Sequence, residues 1–242
     1  MPRELSPYSK RPLKLPTFER ELRAWSDGDL LVVGVDEVGR GCLAGPVVAG
    51  ACVLFRPDPG FIEGKKDPFE KSPLQSIPIV DSKALKPSFR EESCLALEKY
   101  AYASSVAFVP SHVIDEVNIL NASLLAMKEA LIKITVQLGR SPDLVLVDGN
   151  QKIKEWEGKQ ETLISGDSRS LSIAAASILA KVHRDRHMEE LSLKYPSYEF
   201  HSNKGYGSPT HLEALRNEGP VSEHRFSFSP VKAAYLEKKN LV

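Results

Sequence analysis

The sequence predicts an α/β domain in which helices flank a central mixed β-sheet. Several short runs of β-branched and other apolar residues have the length and composition of buried strands. Longer segments between these runs carry apolar residues at helical spacing. Because strands and helices alternate irregularly along the chain, we expect parallel and antiparallel strand pairs within one sheet.

The size and composition are those of a globular protein. The 242 residues suffice for one sizeable core. No run approaches the roughly 20 apolar residues of a membrane helix, and the N-terminus lacks the apolar core of a secretory signal, so a cytoplasmic protein without membrane contact is expected. The unclustered Cys42, Cys52 and Cys94 predict free thiols in a reducing compartment. A formal net charge of zero excludes a strongly cationic surface overall, but it is compatible with a local basic groove.

The N-terminal segment is predicted to form an arm. Residues 1–28 are polar and contain four prolines, and only residues 17–25 have the pattern of a short helix. The main domain is therefore expected to span residues 29–242.

Two predicted strands, residues 30–33 and 46–54, flank the stretch GVDEVGRG at 34–41. Asp36 and Glu37 thus lie at the end of a core strand, where carboxylates are costly unless a cation or hydrogen bonds compensate. The glycines that follow allow a close approach of the backbone to another group. A metal site beside a polyanion explains both features. A solvated acidic pair before a simple turn explains them equally well at this point.

Residues 56–78 contain five prolines and two glycines, with many charges and no apolar period. This composition predicts an inserted surface loop.

The other predicted elements complete the α/β pattern. Residues 173–180 are small or apolar on nearly every face, which predicts that this first half of a long helix packs closely on the sheet, whereas the second half is charged. In chain order these elements are a helix at 87–101, a strand at 102–109, helices at 111–117 and 119–138, strands at 144–147 and 162–164, a long helix at 170–195, a short helix at 209–217 and a polar C-terminal helix.

Acidic residues follow three of the predicted core segments: Asp36 and Glu37, then Asp148, then Asp167. Sites in open α/β sheets form at the carboxyl ends of strands, so these four carboxylates are expected to converge. Such a group would repel itself unless hard divalent cations were bound, and oxygen ligands alone favour Mg²⁺ or Mn²⁺ over zinc. Two such ions about 3.5–4 Å apart can support phosphodiester cleavage.

Several residues are candidates for substrate contact. Gly39, Arg40 and Gly41 can present backbone groups to a ribose hydroxyl, the group that distinguishes RNA from DNA. Tyr206 lies between glycines and can stack on a sugar or base, or simply pack on the domain surface. Lys83 and Lys181 are candidate phosphate contacts or ordinary solvated charges.

Other chemistry-bearing residues have simpler interpretations. His183 and His187 stand four apart, as zinc ligands can, but the arginines between them favour a solvated helix face. Asp185 is expected to form an ion pair, and packing explains Ser177 better than nucleophilic catalysis does.

A series of longer stretches carries a family resemblance across residues 30–230. They are GVDEVGRGCLAGPVVAGACVL at 34–54, VDSK at 80–83, NILNASLLAMKEA at 118–130, LVDGN at 146–150, GDSRSLSIAAASILAKVHRDR at 166–186, YPSYEF at 195–200, NKGYGSPTH at 203–211 and HRFSF at 224–228. With these stretches in this order, the chain resembles the type 2 ribonucleases H, ribonuclease HII. The stretch at 118–130 is most similar to the bacterial branch.

The resemblance implies a ribonuclease H-like fold with a C-terminal helical portion. It implies cleavage of RNA in RNA/DNA hybrids, and nicking 5′ of single ribonucleotides in duplex DNA during ribonucleotide removal, with 3′-hydroxyl and 5′-phosphate products and Mn²⁺ or Mg²⁺ as cofactor. A monomer without an obligate protein partner is expected. The family's metal-binding acids map onto Asp36, Glu37, Asp148 and Asp167, its reader of the 2′-hydroxyl onto Gly39, Arg40 and Gly41, and its junction-sensing tyrosine onto Tyr206.

Some positions depart from the family pattern. His183 stands where threonine is common, Ser208 stands where threonine is usual, and Asn203 replaces a frequent histidine. The 56–78 insertion and the N-terminal arm are additions to the family core. None of these departures affects the four acids.

Three alternatives share part of this pattern. Ribonuclease HIII usually has Gly-Lys-Gly where this chain has Gly39-Arg40-Gly41, and it carries an N-terminal platform domain for which residues 1–28 are too short. A catalytically silent hybrid-binding module would be favoured by loss of an acid. A transposase-type nuclease of the same fold would cleave without needing a ribose.

Overall fold

The structure is a computed structural model that describes residues 15–57, 69–70 and 72–240. Most of the predicted arm, and the central part of the 56–78 insertion, therefore lie outside the described residues. Within the described part of the chain, no helix is long and apolar enough to cross a membrane.

The core is a five-stranded mixed sheet in the order β3-β2-β1-β4-β5. The pairs β1–β2 and β2–β3 are antiparallel, whereas β1–β4 and β4–β5 are parallel. The parallel strands end at one edge of the sheet, which confirms the mixed sheet predicted from the sequence. The strands are β1 (Val32–Val38), β2 (Val47–Val53), β3 (Ala103–Val109), β4 (Leu144–Asp148) and β5 (Gln160–Leu163).

The helices lie close to their predicted positions. Short 3₁₀ turns also form at Pro73–Ser76, Gly166–Ser168 and Pro196–Tyr198. The α-helices of the described residues are α1 (Glu19–Ser26), α2 (Pro87–Tyr100), α3 (Ser111–Val117), α4 (Ile119–Leu138), α5 (Leu171–Lys194), α6 (Phe200–Asn203), α7 (Pro209–Glu218) and α8 (Ser229–Lys239).

Helix α5 crosses one face of the sheet in unusually close contact with β1 and β2. A Cβ atom on Gly34 would lie 2.1 Å from the carbonyl carbon of Ser172, and one on Gly50 would lie 2.2 Å from the carbonyl oxygen of Ala176. Only glycine allows this approach, because no rotamer change can move the helix backbone aside. The small-residue half of α5 therefore packs on the sheet as predicted.

The opposite face of the sheet is covered by α4. Ala126, Ala130 and Ile134 of this helix are buried in one apolar cluster with Val33 and Val47 of the sheet. A third apolar cluster joins the second half of α5 to the helices that follow it. The helical C-terminal portion is thus attached through its own small core, beside the end of the sheet.

Parts of the predicted arm and loop pack against the core. Phe18 and Trp25 are buried beside Phe69, with the rings of Phe18 and Phe69 4.9 Å apart. The buried Glu21 carboxylate accepts hydrogen bonds from the Ser170 hydroxyl and the Ser172 N–H at the start of α5. The end of the insertion that the structure describes is not purely a surface loop, because Leu74 is buried in the same apolar cluster.

Candidate active site

The sheet brings the predicted acids to one edge. Asp36 and Glu37 lie near the end of β1, Asp148 ends β4, and Asp167 lies in the 3₁₀ turn after β5. Ligand oxygens of Asp36, Glu37 and Asp148 all lie within 4.8 Å of one another. Asp167 is outside this compact group but close enough to act on Asp36 electrostatically. The parallel strands therefore produce the convergence expected from the sequence.

Backbone hydrogen bonds fix these carboxylates. Asp36 Oδ1 accepts the N–H of Glu37 at 2.7 Å, and Asp148 Oδ1 accepts the N–H of Gly166 at 2.6 Å. The second bond ties the turn that carries Asp167 to the end of β4. The site is consequently preorganised by the scaffold.

Burial and mutual repulsion disfavour the ionised forms of three of these acids. Asp36 is only 6% exposed, and its pKa is raised by burial, by Glu37 and by Asp148, while a hydrogen bond from Ser177 opposes the rise. Burial also raises the pKa of Glu37, although the charge of Arg40 opposes this rise. Burial raises the pKa of Asp167 as well, and the charges of Asp81 and Asp148 raise it further. Bound cations would reverse these shifts. An all-oxygen donor set fits Mg²⁺ or Mn²⁺.

Lys83 lies at the edge of this acidic site. Its backbone N–H donates to Asp81 at 2.9 Å. Burial lowers the pKa of its amine, but the charges of Asp81, Asp36 and Asp167 together raise this pKa by more than burial lowers it. Lys83 thus places a cationic group beside the acids, as a phosphate-binding residue would require.

Lys181 has a different environment. Its ammonium group pairs with Asp185 at 2.7 Å on the same helix, and both side chains are largely buried. The predicted ion pair of Asp185 thus forms with Lys181. A phosphate contact by Lys181 would have to compete with this carboxylate.

The predicted substrate turn adjoins Tyr206. Gly39 has φ +93, a conformation that favours glycine, and a Cβ there would meet the guanidinium of Arg184. The Tyr206 ring lies 3.8 Å from the position that a Cβ on Gly41 would take, and the tyrosine is 44% exposed. The turn and the tyrosine therefore form one surface next to the acids.

Two buried arginines hold this surface, and the sequence reasoning missed both. Arg225 donates to the carbonyls of Gly39 (2.7 Å), Arg40 (2.9 Å) and Gly45 (2.9 and 3.1 Å). Arg184 donates to the carbonyls of Pro46 (3.0 Å), Lys204 (2.8 Å) and Ala44 (3.2 Å). Both side chains are fully buried.

The burial of Arg184 contradicts the expectation of a solvated second half of α5. A signal for it existed in the sequence. Ile173, Ser177, Ala180 and Arg184 follow one another at helical spacing of four, three and four, so the arginine continues the buried face. The charge of arginine favours an exposed side chain, but three main-chain carbonyl groups accept hydrogen bonds from this buried guanidinium.

The histidines of α5 do not share a site. The ring of His183 bonds Glu98 at 2.7 Å, whereas the ring of His187 packs edge-on against Phe108. Both are half-buried, so the zinc pair is not formed, although the face is less solvated than predicted. Ser177 packs as expected, but its hydroxyl also contacts Ser82 at 3.0 Å and bonds Asp36.

Comparison with known proteins gives one consistent family. A family model described as Ribonuclease HII matches residues 33–231. The chain is 46% identical over 211 residues to the Ribonuclease HII of Caldicellulosiruptor bescii, covering 87% of this chain and 92% of that protein. It is 43% identical over 224 residues to the Ribonuclease HII of Endomicrobium trichonymphae, covering 92% and 96%.

Solved structures agree on the fold. The crystal structure of ribonuclease H2 from Pyrococcus horikoshii OT3 matches with a TM-score of 0.65 and 28% identity, covering 86% of this chain and 98% of that one. A structure of a PCNA:RNase HII complex from Archaeoglobus fulgidus matches with a TM-score of 0.62 and 25% identity, covering 84% and 96%. A Bst-RNase HIII structure in complex with Mn²⁺ shares the fold at 18% identity and a TM-score of 0.63, covering 88% and 71%.

Proposed function

Because the chain belongs to the ribonuclease HII family and is thus an endonuclease of RNA/DNA hybrids, we propose that it also nicks duplex DNA 5′ of single embedded ribonucleotides. Products with 3′-hydroxyl and 5′-phosphate ends, and a role in ribonucleotide removal, are part of this proposal. The observation that carries it is the contact between the Gly39–Gly41 turn, Tyr206 and the acidic edge of the sheet.

The four acids are proposed as the ligands of the catalytic metal ions. Asp36 and Asp148 would be the central ligands, with Glu37 and Asp167 completing the set. Mg²⁺ or Mn²⁺ ions there would supply charge stabilisation at the scissile phosphate and a more acidic attacking water. The protein's own contribution is to fix the positions of Asp36 and Asp148, through the N–H groups of Glu37 and Gly166 and the hydroxyl of Ser177.

The peptide geometry of the turn supports its proposed role as reader of the ribose. The C=O and N–H of one trans peptide point in opposite directions. Since the carbonyls of Gly39 and Arg40 point inward to Arg225, the N–H groups of Arg40 and Gly41 point away from it. Neither N–H has a partner within the described residues. Two outward donors beside the acids suit a 2′-hydroxyl, which DNA lacks.

The other proposed contacts complete substrate recognition. Lys83, charged and facing the acids, would bind a phosphate near the scissile bond, and Tyr206 would stack on the sugar or base at the RNA–DNA junction. Lys181 would bind phosphate only when released from Asp185. We expect a monomer that acts without an obligate protein partner.

Mapping of the nick tests this proposal. The protein is incubated with a DNA duplex that holds one ribonucleotide, in Mg²⁺, in Mn²⁺ or in chelator, beside an all-DNA duplex and a long hybrid. We expect a single nick 5′ of the ribonucleotide that requires metal, and none in DNA. Cleavage of the hybrid alone would reject the single-ribonucleotide activity, and cleavage of DNA would favour a transposase-type nuclease.

A further inference from the structure

A second group of metal-binding side chains lies between α2 and α5, apart from the acidic site. Cys94 and Glu98 belong to α2, and His183 belongs to α5. The thiol sulfur, one carboxylate oxygen and one ring nitrogen all lie within 4.8 Å of one another. We propose that these three residues bind a zinc-class divalent cation that links α2 to α5.

The helices present the donors in a suitable arrangement. Cys94 and Glu98 are four residues apart and therefore occupy the same face of α2. His183 meets them from the facing helix, with its Nε2 2.7 Å from Glu98 Oε1. Tetrahedral zinc holds such donors roughly 3.3–3.6 Å apart, so the hydrogen bond would open by less than about 1 Å to admit the ion.

Burial at the site is graded from core to solvent. Cys94 is fully buried, whereas the side chains of Glu98 and His183 keep 35% and 30% of their exposure. An ion can thus enter from solvent, and a water molecule can take the fourth position. Three protein ligands with one open position form a familiar zinc arrangement.

The surrounding charges do not oppose a cation. Arg186 acts electrostatically on the Cys94 thiol, and its guanidinium pairs with Glu91 of α2. Lys181, one turn before Arg184 on α5, pairs with Asp185. These positive charges are therefore paired with carboxylates, and the hydrogen-bond partner of Glu98 is the partly exposed imidazole of His183.

The donor set separates this site from the acidic one. Sulfur, nitrogen and oxygen together select borderline transition metals such as Zn²⁺ or Co²⁺, whereas four carboxylates select Mg²⁺ or Mn²⁺. Burial raises the pKa of the Cys94 thiol to about 12, so metal binding would displace a proton that the free protein retains at neutral pH.

The proposed ion would brace the helix that supports the active site. His183 lies six residues beyond Ser177, about 9 Å along α5, and Ser177 bonds Asp36. Ser82 and Lys83 lie in the turn that precedes α2, and the Ser82 hydroxyl contacts that of Ser177. A link between α2 and α5 therefore holds the Lys83 segment against the acidic edge.

Cobalt spectroscopy tests the proposal directly. Co²⁺ is titrated into the full chain under a non-chelating reductant, and thiolate-to-cobalt charge-transfer absorption is recorded. Carboxylates alone cannot produce this band, so the acidic site does not contribute. We expect the band in the wild type, its displacement by Zn²⁺, and its loss in Cys94→Ser and His183→Thr.

Matched controls keep the result interpretable. Cys42→Ala and Cys52→Ala remove buried thiols outside the group and should retain the band. Circular dichroism checks that each variant folds, and Zn²⁺ should raise the unfolding temperature of the wild type more than that of His183→Thr. A wild type without the band, or a band that persists without Cys94, would show that Glu98 and His183 form only an interhelical ion pair.

Discussion

At the scale of single residues, the candidate site depends on side chains that fix backbone as much as on those that face the substrate. Arg225 touches no carboxylate that the structure describes at hydrogen-bonding distance, yet its guanidinium is fully buried and bonds three carbonyl groups. Burial lowers its pKa to about 10, so it remains charged at neutral pH. Arg225 therefore fixes the directions of the Gly39 and Arg40 carbonyl groups.

We expect Arg225→Lys to weaken both stability and cleavage. Lysine cannot reproduce the planar fork of donors, so buried carbonyls lose partners, at a cost of about 2–3 kcal/mol in the free energy of unfolding. Cleavage should fall further for single ribonucleotides than the fraction of unfolded protein explains. Chemical denaturation and single-turnover rates measure the two effects. A rate that falls only with the folded fraction would reduce Arg225 to a structural role.

Tyr206 should matter most where the substrate offers only one ribose. We expect Tyr206→Ala to slow nicking at a single ribonucleotide about tenfold or more relative to a long hybrid, because stacking of one base contributes about 1–3 kcal/mol. Tyr206→Phe keeps the ring and serves as control. Cleavage rates of each variant are measured on both substrates, and an equal loss of rate on the two would argue against a junction role.

At the scale of elements, the contact of α5 with the sheet sets the position of the site. The positions of most helices and strands could be predicted from the sequence, because glycine and proline mark the ends of elements and small residues mark the buried half of α5. Gly139, for example, ends α4 in the left-handed conformation that glycine favours. The buried face of Arg184 escaped prediction because its carbonyl partners, Ala44, Pro46 and Lys204, are distant in sequence.

Gly50→Ala should disturb this contact severely. The added methyl would lie 2.2 Å from the carbonyl oxygen of Ala176, so helix and sheet must separate, and we expect a loss of about 3 kcal/mol or more in unfolding free energy. Gly139→Ala is the control. Its Cβ meets open space, and only the left-handed backbone costs about 1 kcal/mol. Similar denaturation midpoints for the two variants would contradict the close contact.

At the scale of the whole molecule, the C-terminal helices complete a site whose acids come from the sheet. Their small core contains His211 and His224, with ring nitrogens 3.0 Å apart and both side chains buried. The sequence identified Tyr206 in this portion as a candidate site residue, but the packing that places Tyr206 and Arg225 beside the turn after β1 depends on contacts between segments far apart in the chain. Only the assembled fold reveals it.

The histidine pair should make this assembly sensitive to acid. Burial, then the neighbouring His211, lowers the pKa of His224 to about 4, whereas an unfolded histidine titrates near 6.5. Between these values the unfolded chain binds a proton that the folded chain excludes, so stability falls as the pH drops from about 6.5 to about 4. The free energy of unfolding falls by up to about 3 kcal/mol over this pH range.

A comparison with His224→Asn isolates this effect, because the acidic site titrates equally in both proteins. We expect the stability difference between wild type and variant to shrink as the pH falls through this range. His112→Asn, which replaces an exposed histidine, is the control. A difference that is constant with pH would reject the role of His224.

We propose that the carboxylates at the ends of β1 and β4 perform the cleavage, and substitution of each carboxylate tests this proposal. Asp36→Asn and Asp148→Asn are assayed for cleavage and for binding of the same RNA/DNA hybrid in Mg²⁺ and Mn²⁺. Because the fold holds these side chains through backbone bonds, we expect cleavage to fall by about a thousandfold or more while binding changes little. Near wild-type cleavage by either folded variant would contradict the account.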